Sequence, residues 1–293
     1  MKCNLCPRQC NIDREKRTGF CGVSGKIRVA RAALHFWEEP CISGEEGSGA
    51  VFFSGCNLQC VFCQNMDISR GKVGQDISGE RLSDIFLELQ DKGANNINLV
   101  TPSHYVKQII PALISARENG LRIPVVYNSS AYESVETLKL LEGHVDIYLP
   151  DCKYFDDELS VRFSKAPGYR DISLAAISEM IRQTGTPQFD ERGLLKRGVV
   201  VRHLVLPGHV SDSKKVIGML HDIFKEDIYI SIMRQYTPTV HLPEYPELNR
   251  KLTKREYKKV LDYAVDIGIV NGFMQEGDVA KESFIPDFNL EGV

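Results

Sequence analysis

Six short apolar runs, separated by amphipathic helical stretches, constrain the fold of this chain most strongly. The runs cover residues 50–53, 96–100, 124–127, 145–149, 198–208 and 228–233. The helical stretch at 79–93 places four apolar side chains on one face and ends at a glycine. Further helical stretches cover residues 104–119, 132–142, 156–164, 171–185, 212–224 and 253–267. This alternation predicts an α/β fold with a parallel sheet and crossover helices.

The composition is that of an ordinary globular protein. The 293 residues are 43% hydrophobic and 26% charged, which is enough for one large domain or two smaller ones. The formal net charge of −3 argues against binding to nucleic acid or to an anionic membrane. Since no apolar run reaches the ~18 residues needed to span a bilayer and no leader pattern opens the chain, we expect a cytoplasmic protein.

Cysteine is unevenly distributed. Eight of the nine cysteines lie before residue 64. A disulfide framework is typical of small secreted chains, whereas clustered cysteines in a long chain without a leader more often bind metal or carry redox chemistry. The pattern therefore predicts metal chemistry in the first fifth of the chain.

The loop at 54–65 carries Cys56, Cys60 and Cys63 in a C-x3-C-x2-C spacing directly after the first apolar run. Three thiolates this close can hold an iron–sulfur cluster that would be closed by four ligands, which leaves one iron open to a small molecule. The alternatives are a zinc-binding loop or a buried group of reduced cysteines.

A second cysteine group opens the chain. Residues 1–23 carry Cys3, Cys6, Cys10 and Cys21 in a C-x2-C-x3-C-x10-C spacing with no hydrophobic period. Four thiolates can close a zinc site or hold a second iron–sulfur cluster, and the spacing does not decide between them. Unmetallated cysteines are the third possibility, and Cys41 is either a replacement ligand or a small buried residue. We predict a Cys-rich N-terminal segment at 1–48 and an α/β unit at 49–293.

The cysteine loop resembles the signature of the radical S-adenosylmethionine (SAM) enzymes. Phe62, which precedes the third cysteine, also fits that family's pattern. The resemblance implies a [4Fe–4S] cluster whose open iron binds SAM, reductive cleavage of SAM to a 5′-deoxyadenosyl radical, and hydrogen abstraction. It also implies a partial (β/α)6 barrel, open on one side, from the cysteine loop onward. The closing loop at 272–277 is expected either to lie over that open side or to form a surface tail.

Over nearly residues 3–277 the chain resembles uncharacterised radical SAM homologues of the pyruvate formate-lyase activating enzyme. The shared runs include Cys-x-Leu-Cys-Pro-Arg-x-Cys, Trp-Glu-Glu-Pro-Cys-Ile-Ser-Gly and Asp-Ile-Tyr-Leu-Pro-Asp-x-Lys-Tyr. Asp151 and Lys153 match an Asp-x-Lys motif placed beside SAM, with Phe62 packing near the adenine. Arg202 and the following Leu-Val-Leu-Pro-Gly resemble the R-x-x-x-V-P-G run, and a buried arginine there needs an anionic partner such as SAM.

Two strand ends depart from the family pattern. Residues 98–104 replace the Gly-Gly-Glu run that binds the SAM amino group, so Thr101 or Ser103 is expected to substitute for it. At the third strand, the run ending in Asn128 lacks the acidic residue of the activating enzymes. Because chemistry in parallel barrels collects at the C-terminal strand ends, we predict Thr101, Ser103 and Asn128 as cofactor-binding residues.

The sequence thus predicts a radical SAM enzyme acting on a glycine of a partner enzyme or on another substrate. An electron donor such as flavodoxin or ferredoxin is the implied redox partner. The alternative is a metal-stapled electron-transfer or binding protein in which both cysteine groups hold closed clusters and SAM is not cleaved.

Overall fold

The computed structural model describes residues 2–275 and 286–293, and these form one ten-stranded sheet with helices packed against it. The predicted α/β class is confirmed. No helix among the described residues has the length and apolar character needed to cross a membrane.

The strands are β1 (Ile27–His35), β2 (Ser48–Phe53), β3 (Gln75–Ile77), β4 (Ile97–Val100), β5 (Val125–Ser129), β6 (Ile147–Pro150), β7 (Gln188–Phe189), β8 (Leu195–Leu204), β9 (Tyr229–Met233) and β10 (Gly272–Met274). The helices are α1 (Pro40–Ser43), α2 (Met66–Ser69), α3 (Gly79–Asp91), α4 (Val106–Glu118), α5 (Val135–Lys139), α6 (Asp157–Ser164), α7 (Tyr169–Thr184), α8 (Val210–Phe224) and α9 (Lys254–Asp266).

The six predicted strands are β2, β4, β5, β6, β8 and β9, and they lie side by side in chain order. Every neighbouring pair among them is parallel. Parallel pairing brings all their C-terminal ends to one edge of the sheet, where the following loops converge. The sequence reading missed β10, which pairs with β9 in parallel. Residues 276 and 277 of the predicted closing loop lie outside the described residues.

Buried apolar side chains pack on both faces of the sheet. Along β5, Val125 and Tyr127 join the main core beneath the helices, while Val126 packs with a second cluster on the opposite face. Leu82 and Phe86 of α3 are fully buried in the main core. The helices therefore hold the sheet from one side and leave the strand ends free to form a site.

The N-terminal segment contributes to the same sheet. β1 pairs antiparallel with β2 across the predicted division at 48 and 49, with His35 opposite Ser48. The C-terminal end returns to this edge, where the Leu290 amide donates to the Ala30 carbonyl at 3.2 Å. The two predicted units thus share one sheet, and their division into domains stays a prediction.

One segment predicted as a polar loop contains a short hairpin. β7 pairs antiparallel with the start of β8, which begins three residues before the predicted strand. The Asp190 carboxylate accepts the amides of Arg192 at 3.0 Å and Leu194 at 2.9 Å, and these bonds close the turn. The turn chemistry therefore extends the strand backwards.

Candidate functional site

A cavity of about 230 Å³ opens at the C-terminal ends of the parallel strands. Its wall includes Thr101 after β4, Ser130 after β5, Asp151 after β6 and Gln235 after β9. All three cysteines of the loop after β2 also line it. The cavity therefore lies where parallel strands of an α/β fold deliver their working groups.

Cys56, Cys60 and Cys63 are free thiols, and Cys60 is buried. Within the described residues, no three His, Cys, Asp or Glu side chains are arranged to hold one metal ion. A [4Fe–4S] cluster binds each thiolate to a different iron, so its ligands do not have to meet at one point. The three thiols that line the cavity are therefore compatible with a cluster.

Hydrogen bonds to other segments of the chain hold the cysteine loop in place. The buried Asn57 side chain donates to the Tyr132 carbonyl at 2.7 Å. The Ser164 hydroxyl, at the end of α6, donates to Cys60 Sγ at 2.9 Å. Burial raises the pKa of Cys60 to about 12, and Lys153 opposes that shift. A thiolate at this position thus needs positive charge beside it, which a metal centre supplies.

Arg202 organises the polar side of the cavity. Its guanidinium donates to Asp151 at 2.8 Å, to Glu38 at 2.7 Å and to the Asn128 side chain at 2.6 Å. Asn128 in turn donates to Glu38 at 3.2 Å. The anionic partners of the buried arginine are therefore two carboxylates of the chain itself, whereas the sequence reading suggested SAM.

Lys153 lies on the other side of Asp151, with Nζ 2.6 Å from Oδ2. Burial alone would raise the pKa of Asp151, but Arg202 and Lys153 outweigh it and hold that pKa below its usual value. Burial likewise lowers the pKa of Lys153, yet Asp151 and Cys60 raise it overall. Asp151 is thus a carboxylate fixed between two cations, one of which, Lys153, lies close to Cys60.

The remaining predicted cofactor-binding residues divide into two groups. Phe62 and Thr101 line the cavity, and Phe62 packs with Tyr236 at a ring distance of 6.0 Å. Thr101 has a φ of 59°, which turns the chain sharply after β4. Ser103 does not line this cavity, because it lies in a short 3-10 helix and its hydroxyl donates to the buried Glu133.

Glu38 is the site residue that the sequence reading missed. It precedes α1, lines the cavity with its neighbours His35 and Trp37, and its side chain is only 10% exposed. The Trp-Glu-Glu-Pro run that contains it resembled the family pattern, but nothing local assigned its acidic residues a role. Its partner Arg202 is 164 positions away in the sequence.

The N-terminal cysteines form a separate group that does not line the cavity. Cys6 and Cys21 are buried, while Cys3 and Cys10 are partly exposed. The sulfurs of Cys10 and Cys21 both lie beside Gly19. A Cβ added to this glycine would be 3.4 Å from Cys10 Sγ and 3.7 Å from Cys21 Sγ. Cys41 packs in the cluster that contains Val126, on the inner face of the sheet. The metal at the N-terminal cysteines stays a prediction.

The family model for the radical SAM superfamily matches residues 50–220 of this chain. An uncharacterised protein of Methanocaldococcus jannaschii is 32% identical over 271 residues, which cover 89% of this chain and 74% of that protein. A pyruvate formate-lyase-activating enzyme of Clostridium pasteurianum is 27% identical over 188 residues, which cover 60% of this chain and 68% of that enzyme.

The fold is also found in solved structures. A radical SAM methyltransferase from Sphaerobacter thermophilus superposes with a TM-score of 0.52 at 14% identity, over 78% of this chain and 66% of that one. At this identity the likeness concerns the fold alone. The chain spans about half the length of other solved structures that it resembles.

Proposed function

This chain belongs to the radical SAM superfamily, and from that membership we propose that it cleaves SAM reductively at a [4Fe–4S] cluster held by Cys56, Cys60 and Cys63. The observation that carries the proposal is the shared cavity, which is lined by the three cysteines together with Asp151, Lys153 and Arg202. The finer architecture that we propose is a partial (β/α)6 barrel made of the six parallel strands in chain order.

The bound cluster would supply the electron that cleaves the sulfonium of SAM, which yields methionine and a 5′-deoxyadenosyl radical for hydrogen abstraction. The protein's part is to bind and orient SAM and to exclude water. Of the three N–H donors on Lys153, one is given to Asp151. The ammonium is therefore suited to a carboxylate bound beside Cys60. Phe62 and Tyr236 offer aromatic surface for the adenine.

Arg202 has a positioning role in this proposal. Its guanidinium donates to Asp151, Glu38 and Asn128, so it fixes two carboxylates and one amide in the wall of the cavity. These groups suit the amino group and the sulfonium of SAM, since both are cationic. Thr101 follows β4 and lines the cavity, which supports its proposed role as the substitute for the Gly-Gly-Glu run.

For the target of the radical, we propose a glycine of a partner enzyme, with flavodoxin or ferredoxin as the electron donor. The likeness to a pyruvate formate-lyase-activating enzyme supports this choice over 188 residues. We also propose that Cys3, Cys6, Cys10 and Cys21 hold a metal, either zinc or a second cluster, since a segment without its own core needs such a staple.

Anaerobic reconstitution with iron and sulfide, followed by dithionite and SAM, tests the proposed cleavage. We expect wild type to form 5′-deoxyadenosine, detected by chromatography, and Cys60→Ala to form none. Cys41→Ala is the matched control, because it removes a buried cysteine outside the cavity and should keep activity. A wild type that keeps a reduced cluster and leaves SAM intact would instead be the electron-transfer protein of the alternative reading.

A further inference from the structure

Arg8 lies at the tip of a tight loop formed by the first cysteines. The loop is closed by the Cys3 amide, which donates to the Ile12 carbonyl at 2.8 Å, and by the Gln9 amide, which donates to the Cys6 carbonyl at 3.0 Å. Cys6 and Cys10 flank Arg8 two residues away on either side. Any ligand bound by these two thiols would therefore fix the part of the loop that presents Arg8.

The Arg8 side chain leaves its own segment and contacts two others. Nε donates to the Asn57 carbonyl at 2.7 Å, and Nη2 donates to the Ser164 carbonyl at 3.3 Å. Nη1 donates to the carbonyl of Lys165, which follows α6. A cation suits these acceptors, because the last carbonyls of a helix carry partial negative charge. The guanidinium also stacks on Phe20, 3.8 Å from the ring centre.

Each of the two contacted segments is next to a cysteine of the proposed cluster, one in sequence and the other through a hydrogen bond. Asn57 is the residue after Cys56. Ser164 donates its hydroxyl to Cys60 Sγ at 2.9 Å, so the end of α6 is in direct contact with that thiol. One planar guanidinium thus joins the backbone beside the first cysteine to the residue that holds the second.

Two more bonds join the same segments. The Cys56 amide donates to the Cys21 carbonyl at 3.2 Å. The Gln59 side chain donates to the Phe20 carbonyl at 2.5 Å. We infer that Arg8 is a positioning residue for the cluster, which ties the N-terminal cysteine segment to the loop of Cys56 and to the end of α6. A metal bound by the N-terminal thiols would then help the protein to retain the cluster. This inference rests on the proposed cluster site.

Cluster retention tests the role of Arg8. Wild type, Arg8→Gln and Arg8→Lys are reconstituted anaerobically, reduced and exposed to an iron chelator without SAM. The signal followed is the EPR signal that is absent from a Cys56/Cys60/Cys63 triple alanine variant. We expect both Arg8 variants to lose this signal about tenfold faster than wild type, as when a group that orients a metal ligand is removed. A wild-type rate in either variant would overturn the inference, since lysine keeps the charge but cannot join two segments.

Two control variants separate this role from general loosening. Arg17→Gln changes an exposed arginine of the same segment. Arg14→Gln removes a buried arginine that donates to the carbonyls of Ser24 and His104. We expect both to lose the cluster at the wild-type rate, although Arg14→Gln should lower the unfolding temperature. If Arg14→Gln loses the cluster as fast as Arg8→Gln, general loosening explains the effect and the inference is wrong.

A double variant tests this effect of the N-terminal thiols. Cys10→Ala should also accelerate loss of the EPR signal, and Cys10→Ala combined with Arg8→Gln should be no faster than the faster single variant. If the double variant accelerates cluster loss by the product of the two single-variant factors, Arg8 and the N-terminal thiols act separately, and the inference is wrong. Because retention is measured without SAM, this result is independent of the proposed cleavage. A wild type that holds its cluster without cutting SAM would contradict only the proposed function.

Discussion

Glu38 and Arg202 form an ion pair with Nη1 2.7 Å from Oε2, although 164 residues of sequence separate them. The side chains are 10% and 12% exposed, respectively. Glu38 also accepts the side-chain amides of Asn98 at 3.1 Å and Asn128 at 3.2 Å. A residue of the N-terminal segment thereby completes a site otherwise built by the parallel strands.

Replacement of Glu38 by glutamine should destabilise the fold. The change leaves Arg202 paired with Asp151 alone, and the loss of one charge-assisted hydrogen bond costs about 2 kcal/mol of unfolding free energy. Urea denaturation of the metal-free protein measures this loss. Glu45→Gln, at an exposed position a few residues on, is the matched control and should be neutral within about 0.5 kcal/mol. Equal stability of both variants would mean that the pair contributes nothing.

Lys153→Met should weaken SAM binding without unfolding the protein. Asp151 keeps its bond to Arg202, so the carboxylate is still paired. The loss of one charge-assisted hydrogen bond corresponds to about tenfold in affinity. A SAM titration of the cluster-loaded protein, followed by EPR, gives the dissociation constant. Lys92→Met, at the exposed residue that follows α3, should match wild type. An unchanged dissociation constant for Lys153→Met would mean that this lysine pairs with Asp151 and does not bind SAM.

The N-terminal thiols should bind their metal even when the three cysteines of the loop at 54–65 are absent. In a Cys56/Cys60/Cys63 triple alanine variant, we expect metal to remain at the N-terminal thiols. Metal and sulfide analysis identifies it, since iron with acid-labile sulfide means a second cluster and zinc without sulfide means a mononuclear site. Further replacement of Cys10 and Cys21 should remove it. A metal-free triple variant would contradict the proposed N-terminal site.

Glu133 should make stability depend on pH. It is fully buried beside Ser103 and Tyr127, and burial raises its pKa to about 7. The folded state therefore keeps a proton that the unfolded state releases near pH 4.5, so this contribution to stability is lost as pH rises to about 7. Glu133→Gln should gain stability relative to wild type across this window, by about 3 kcal/mol in total.

Urea denaturation at several pH values between 4 and 8 checks the Glu133 prediction. The difference between Glu133→Gln and wild type removes the contributions of other titrating groups, including His35, His104 and His203. Burial lowers the pKa of each of these histidines, so they act in the opposite direction and weaken the fold as pH falls. A flat difference would show that Glu133 titrates normally in the folded protein.

The local part of this protein could be read from its sequence. The cysteine spacing lies within one loop, and strand and helix periods are properties of short windows, so six strands and two cysteine groups were predictable. The rule that parallel strands end at one edge then placed Thr101, Asn128, Asp151, Lys153 and Arg202 on a common list, and all five line the cavity. The start of β8 and its hairpin with β7 were less predictable, because a turn stabilised by Asp190 determines them.

The partners of those side chains were decided by the tertiary structure. Ser103 follows a strand end as Thr101 does, but a 3-10 helix turns it toward Glu133 and away from the cavity. Arg8 contacts the end of α6, 156 residues away, which no local pattern marks. By itself the sequence determined the six parallel strands, most of the helices and the two groups of candidate metal-binding cysteines, since neighbours along the chain govern these patterns. Only the tertiary structure decided which charged side chains form pairs, because hydrogen bonds between distant segments depend on how the whole chain folds.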